Sequence, residues 1–170
     1  MHISKLLNTS IILTKNMEQE RKLGIVVQSG AANRICCVVV YSASALASGW
    51  KVVLHLVNEG LVAFRKDTAK KVWGSLNPKD FSIYPSYYTP NVEVFLKNLQ
   101  EFIKAGKFQD WPDYLTQLKK EFPDRFKIYA CPIAAAAYNI KKEDLIDIVD
   151  DIKGGESFLE EVYPGVVMVF

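Results

Sequence analysis

The segment that decides the fold is LGIVVQSGAANRICCVVVYSASALASGWKVVLHLV, residues 23–57. It opens with a continuous apolar run, 23–27, which is typical of a strand buried on both faces of a parallel sheet. Ser29 and Gly30 end this run, and the small and apolar residues that follow predict a helix over 32–48 with Gly49 as its stop. A second apolar run over 51–57 then predicts the next parallel strand. The segment is therefore a βαβ unit.

Strands and helices also alternate in the last third of the chain, which predicts an α/β sandwich with a mainly parallel sheet. The predicted strands there are 126–130, 146–149 and 166–170, and the predicted helices are 111–121, 132–138, 141–145 and 156–162. Between the two regular regions, residues 66–110 predict an irregular, aromatic-rich insertion in which only 92–104 has a helical apolar pattern. Residues 1–20 lack periodicity and predict an N-terminal arm, so a single domain is expected over 21–170.

Composition excludes several classes of protein. A net charge of +2 without a basic, aromatic-interleaved cluster argues against nucleic-acid binding. Three cysteines do not form a disulfide framework, and the longest apolar runs are too short for a signal peptide or a membrane span, so we expect a cytoplasmic protein. With two histidines and no paired metal-ligand spacing, the sequence predicts no metal site.

The best candidate for chemistry is Cys131, in the stretch KIYACPIAAAAYNI at residues 127–140. A proline followed by four alanines predicts a helix that begins directly after Cys131, which itself follows a buried strand. Free N–H groups at a helix start favour a thiolate, the nucleophilic form of cysteine. The alternative is that Cys131 is a small apolar residue that closes a core. Cys36 and Cys37 lie mid-helix and lack this environment.

Other polar residues suggest weaker sites. Ser29, Asn33 and Arg34 surround the first strand-to-helix turn, where they predict a polar rim for a small anion or a persulfide. The turn lacks the glycine patterns of dinucleotide and phosphate-binding loops, although nucleotide or small-molecule binding stays open as an alternative. His55, inside an apolar strand, is expected to be a hydrogen-bonded core residue rather than a general base.

Several blocks, in order, resemble the DsrE/DsrF-like family of sulfur-relay proteins. They are IVVQSGAANR, ALASGWKV, HLVNEGLVAFRK, KIYACPIAAAAYNIKKEDLIDIV, GGESFLEE and VVMVF. The resemblance implies a three-layer sandwich of DsrE/F-like, flavodoxin-like topology, with Cys131 at the position of the family's sulfur-carrying cysteine. It also implies a sulfurtransferase or sulfur carrier that relays sulfane sulfur, as a persulfide or thiosulfonate, without a cofactor.

The resemblance further implies a homo-oligomer, preferably a trimer or a multiple of it, and a small sulfur-carrier partner such as a TusA-like protein. No nucleic-acid or membrane partner is expected. A non-catalytic oligomeric scaffold on the same fold, with Cys131 buried, is the alternative from another class. Such a scaffold would leave Cys131 inert to alkylation while the protein is folded.

Overall fold

A computed structural model describes residues 20–74 and 87–170, and a five-stranded parallel sheet lies at its centre. The strands are β1 Lys22–Val27, β2 Lys51–Leu56, β3 Phe126–Ala130, β4 Asp151–Ile152 and β5 Val166–Val169, in the spatial order β4-β3-β2-β1-β5. The first two strands align from Lys22 opposite Lys51 to Val27 opposite Leu56, as the βαβ prediction requires. All strand pairs are parallel, so their carboxyl ends form one edge of the sheet.

Helices cover both faces of the sheet. They are α1 Ala32–Ala47, α2 Asn58–Ala63, α3 Ala69–Gly74, α4 Thr89–Lys104, α5 Trp111–Glu121, α6 Pro132–Ala137 and α7 Gly155–Val162, with a 3-10 turn at Lys142–Asp144. Helices α1 and α5 pack on one face, and α7 packs across β1 and β2 on the other. The predicted three-layer α/β sandwich with a parallel sheet is confirmed. No helix within the described ranges is long and apolar enough to cross a membrane.

The strand order differs from that of flavodoxin. Flavodoxin-like sheets have the order 2-1-3-4-5, in which the chain reverses its direction of travel after the second strand. Here each strand from β1 to β4 lies next to the one before it in the chain. Helix α7 then crosses the sheet in the opposite direction, so that β5 lies beside β1. The predicted flavodoxin-like topology therefore holds for the layers and the parallel strands, but not for the strand order.

Side-chain alternation along the strands separates a large core from a small one. The large core lies under α1 and α5 and includes Leu23, Ile25 and Val27 of β1, all buried. The small core lies under α7, where Val53 and Tyr129 contact Phe158 and Val162. A continuous apolar strand such as β1 is thus buried on both faces, as its sequence predicts.

The described parts of the predicted irregular insertion, residues 66–74 and 87–110, are more regular and more deeply packed than their sequence indicates. They contain α3 and α4, and Trp73 of α3 is fully buried while its indole N–H donates to the Ala32 carbonyl at 3.0 Å. Val92, Leu96 and Leu99 of α4 join the large core, which confirms the predicted apolar face of that helix. Of the aromatic residues that make this insertion aromatic-rich, Phe81 and Tyr84 lie outside the described residues. Tyr87 and Tyr88 are exposed.

The prediction of a strand over 146–149 is wrong, because pairing with β3 begins later, at Asp151. The reason is Asp150, whose carboxylate accepts the Ile128 N–H at 2.7 Å and so occupies the donor that a longer strand would use. Its own N–H donates to the Ile128 carbonyl at 2.8 Å. The predicted N-terminal arm, residues 1–20, lies outside the described residues except for Glu20.

Candidate functional site

Cys131 lies at the carboxyl edge of the sheet, directly after β3, which has β2 on one side and β4 on the other. Its N–H donates to the Leu56 carbonyl of β2 at 2.9 Å, and its carbonyl accepts the Ala135 N–H of α6 at the same distance. Cys131 is thus the last residue tied to the sheet and the N-cap of α6, with Pro132 in the first turn. The predicted strand–cysteine–helix junction is present.

The Cys131 thiol is free and half-buried, with one side against the large core. No side chain caps α6, so its first-turn N–H groups are available to an anionic group on the sulfur. Because α6 has only six residues, these local N–H groups, rather than a long macrodipole, would provide the stabilisation. Ile133 in the first turn of α6 is 79% exposed, and Tyr138, the residue after its last turn, is 42% exposed.

Lys153 lies beside Cys131 in the backbone, which the sequence did not reveal, but its ammonium is placed on the small-core face of the sheet and not at the thiol. Lys153 follows β4, and since Ala130 pairs with Ile152, it is next to Cys131 along the carboxyl edge. Its backbone N–H donates to the Ala130 carbonyl at 3.0 Å, and its ammonium lies 4.5 Å from the centre of the Tyr129 ring. The signal in the sequence was a lysine directly before Gly154 and Gly155, which is too common to identify a site.

Ser29, Asn33 and Arg34 lie on the same edge but are not brought together with Cys131. They follow β1, and β2 separates β1 from β3, a spacing of about 10 Å between the outer two strands. Helix α2 contacts both β1 and α6, so it occupies the space between the turn and the cysteine. The Ser29 hydroxyl accepts the Ala31 N–H at 3.2 Å, and Arg34 is exposed.

Cys36 and Cys37 are half-buried in the second turn of α1. Burial raises the pKa of Cys36 above its ordinary 9.0, and the neighbouring Cys37 adds to that rise. A raised pKa reduces the thiolate fraction near neutral pH, so Cys36 is a poor nucleophile. This environment supports the choice of Cys131 over Cys36.

His55 is the core histidine that the sequence predicts. It is buried in β2, its ring stacks on Phe158 with centroids 5.2 Å apart, and its Nε2–H donates to the Lys153 carbonyl at 3.2 Å. Burial lowers the pKa of His55 below 6.5, against the opposing effect of the bond to that carbonyl. The hydrogen bond joins β2 to the segment after β4 and so fixes the backbone of Lys153.

We expect the stability of the protein to fall as the pH drops below about 6.5, in part through His55. Since the pKa of His55 is lower in the folded state, the unfolded chain binds more protons at this residue as the pH falls. The stability that neutral His55 contributes is therefore complete only above the pKa of His55 in the unfolded chain, and it is lost as the pH falls below that value. Urea unfolding at pH 7.5 and 5.5 measures this. His55→Gln should lose less stability across the interval than the parent, and an equal loss in both proteins would contradict the assignment.

A second polar network supports the small core near the candidate site. The Tyr129 hydroxyl donates to Glu161 at 2.5 Å, and Glu161 also pairs with Lys51 at 3.2 Å. Burial and the bond to Glu161 raise the pKa of Tyr129, so it stays neutral. Burial works to raise the pKa of Glu161, but the bonds from Tyr129 and Lys51 outweigh it and the net pKa is lowered. These partners satisfy one another, so the network is structural.

Acidic residues near the candidate site also have structural partners. Asp144 accepts the Lys141 N–H at 2.8 Å, Asp147 pairs with Lys66 at 3.1 Å, and Asp151 accepts the Ile152 N–H at 2.8 Å. Across residues 20–74 and 87–170, no three His, Cys, Asp or Glu side chains group closely enough to hold a metal ion.

Comparison with known proteins relates this chain by fold alone. No family model and no curated protein matches the sequence. Among solved structures, the chain is similar to MTH1491 from Methanobacterium thermoautotrophicum, a protein of unknown function. The TM-score is 0.55 at 10% sequence identity, and the alignment covers 89% of this chain and 100% of that one. At this identity the likeness extends to the α/β fold and not to an activity.

Proposed function

We propose that the protein carries sulfane sulfur on Cys131 and relays it to partner thiols, as a sulfurtransferase or sulfur carrier of the DsrE/DsrF-like type. The observation that supports this most is the position of Cys131, a free, half-exposed thiol held by the backbone between β3 and α6. Uncapped N–H groups of α6 suit an anionic sulfur at this position. The family resemblance of the sequence supplies the substrate class.

The reaction that we propose needs no external oxidant. The Cys131 thiolate attacks the terminal sulfur of a donor persulfide, forms a new S–S bond, and releases the donor as a thiolate. The terminal sulfur keeps its proton or its negative charge throughout. An acceptor thiolate then attacks that sulfur, breaks the bond to Cys131, and restores the Cys131 thiolate. With tetrathionate as donor, the same attack leaves a thiosulfonate on Cys131 and releases thiosulfate.

The partner is proposed to be a small sulfur-carrier protein such as a TusA-like protein, in a cytoplasmic setting. Ile133 supports this, because an exposed apolar side chain two residues from Cys131 is suited to transient docking. The chain itself is proposed to be a homo-oligomer, preferably a trimer or a multiple of it.

Intact-mass measurement tests the proposal directly. The folded protein is incubated with polysulfide or with tetrathionate, and its mass is taken before and after reduction with dithiothreitol. We expect an adduct that reductant removes completely. A protein that takes up no sulfur, and whose Cys131 resists alkylation until it is unfolded, would instead be a scaffold on this fold.

A further inference from the structure

The two edge strands of the sheet, β4 and β5, differ in how well they are protected against pairing with a further strand. The β4 edge has only two paired residues, and Asp150, Asp151 and Lys153 place charges along it. Short length and charge are the usual protections of an edge strand. By contrast, β5 consists of Val166, Val167, Met168 and Val169, with β1 as its one neighbour among the described strands. Nothing in its own sequence prevents a further strand from pairing with it.

Apolar surface flanks β5 on both faces of the sheet. On the α1 side, a groove that we call the α1 groove is lined by Tyr41, Ser44, Ser48, Trp50, Val166 and Met168. On the opposite side, the α7 groove is lined by Leu159, Val162, Tyr163, Gly165 and Val167. Of the described residues that line the two grooves, Glu160 in the α7 groove alone carries a charge.

We propose that the β5 edge binds a second copy of this chain, with the two β5 strands antiparallel about a twofold axis perpendicular to the sheet. Such a contact joins two five-stranded sheets into one of ten strands. Under this symmetry each face continues as the same face of the partner, so the α1 grooves adjoin on one side and the α7 grooves on the other. An uncharged strand suits self-pairing, because no like charges meet across the axis.

The exposed side chains at the two ends of β5 complement each other in this arrangement. Tyr163 precedes the amino end of the strand and is 78% exposed, and Leu159 lies one turn earlier on α7. Val169, at the carboxyl end, is 57% exposed and shares the face of Val167. Antiparallel pairing places the amino end of one strand opposite the carboxyl end of the other. Each Tyr163 can therefore cover the Val169 of its partner.

The area available is sufficient for a stable dimer. Six large apolar side chains on or beside the strand are exposed: Tyr41, Leu159, Tyr163, Val166, Val167 and Val169. Their exposed parts amount to roughly 600 Å² per subunit, or about 1,200 Å² for the pair, against the about 1,000 Å² that a specific interface requires. The main-chain hydrogen bonds between two edge strands come in addition.

Light scattering of the full chain and of two matched variants tests the inference. We expect the parent to be a dimer or a larger assembly with an even number of subunits, and a hexamer would satisfy both this inference and the proposed multiple of a trimer. Val167→Lys puts two ammonium groups close to the axis and should halve the mass. Val94→Lys places the same charge at another exposed valine, on α4, and should leave the mass unchanged. Thermal melts of both variants confirm that they are folded.

Three results would overturn the inference. They are a monomeric parent, an assembly such as a trimer that Val167→Lys leaves intact, or a parent that associates only after residues 1–16 are deleted. The last result would mean that the chain's own N-terminal segment occupies the edge. A monomeric parent would also contradict the proposed homo-oligomer, but none of these results bears on sulfur loading at Cys131, so failure of this inference is distinguishable from failure of the proposed sulfur transfer.

Discussion

Replacing Cys131 with serine is expected to abolish sulfur loading while leaving the fold intact. In the parent, polysulfide should add about 32 Da, the mass of one sulfur atom, in a form that dithiothreitol removes. Serine has nearly the size of cysteine and can still cap α6, so the junction with β3 should persist. Intact mass before and after reduction, together with a thermal melt, measures both parts of this prediction.

Cys36→Ser and Cys37→Ser are the matched controls, because each removes one thiol from a half-buried helical position. Both variants should load sulfur as the parent does, and alkylation near neutral pH should reach Cys131 first. Loading that survives Cys131→Ser but is lost in either control would move the site to α1. Absence of loading in every protein, including the parent, would favour the scaffold alternative.

Gly60→Ala is expected to destabilise the protein severely, by about 3 kcal/mol or more. Gly60 lies in α2 where that helix crosses the end of β1, and its N–H donates to the Gln28 carbonyl at 3.2 Å. A Cβ atom at this position would lie 2.1 Å from the Val27 carbonyl oxygen. The obstacle is the backbone of a central strand, so the helix itself would have to move. Urea unfolding of parent and variant measures the loss.

Gly155→Ala is the control for this substitution. Gly155 is the first residue of α7, and a Cβ built there meets no atom within 4 Å. Since alanine is the better helix former, this variant should match or exceed the parent by less than about 1 kcal/mol. If both variants lose stability equally, the close approach of α2 to β1 is not what requires a glycine at residue 60.

The central β-strands were predictable because their sequence patterns leave little choice. Residues 126–130 were predicted as a strand and form β3 with the same bounds. Cys131 could be placed for the same reason, since an apolar strand and a proline-initiated helix leave it one position between them. The local sequence pattern was enough to predict the structure wherever elements that pack together also follow one another in the chain.

The packing of residues 66–74 and 87–110 could not be predicted, because it depends on contacts between residues that are distant in the sequence. Trp111 donates its indole N–H to the Ala69 carbonyl at 3.0 Å, and its ring packs on Phe64. Nothing in the local sequence of α3 shows that its own Trp73 will be buried or that Trp111 will bond to its backbone. The sequence of this segment, rich in aromatics and proline, therefore predicts irregular structure, although α3 and α4 belong to the large core.

The limits of the site prediction have a similar cause. Ser29 and Cys131 each follow a strand, and only the strand order shows that β2 and α2 stand between them. That order is decided by which apolar strands pair, and several orders would satisfy the same pattern of burial. The sequence does not predict that the backbone of Lys153 lies beside Cys131, because this closeness depends on the pairing of Ala130 with Ile152.

The pairing of β1 with β5 has a consequence for synthesis of the protein on the ribosome. Leu23 lies opposite Val166, so the first strand of the sheet receives its second neighbour only when the last strand has left the exit tunnel. Until then, β1 to β3 can pair, but one side of β1 stays open and apolar. Contacts this distant in sequence also form slowly. The nascent chain therefore keeps this apolar edge of β1 unpaired until residues 166–169 are available.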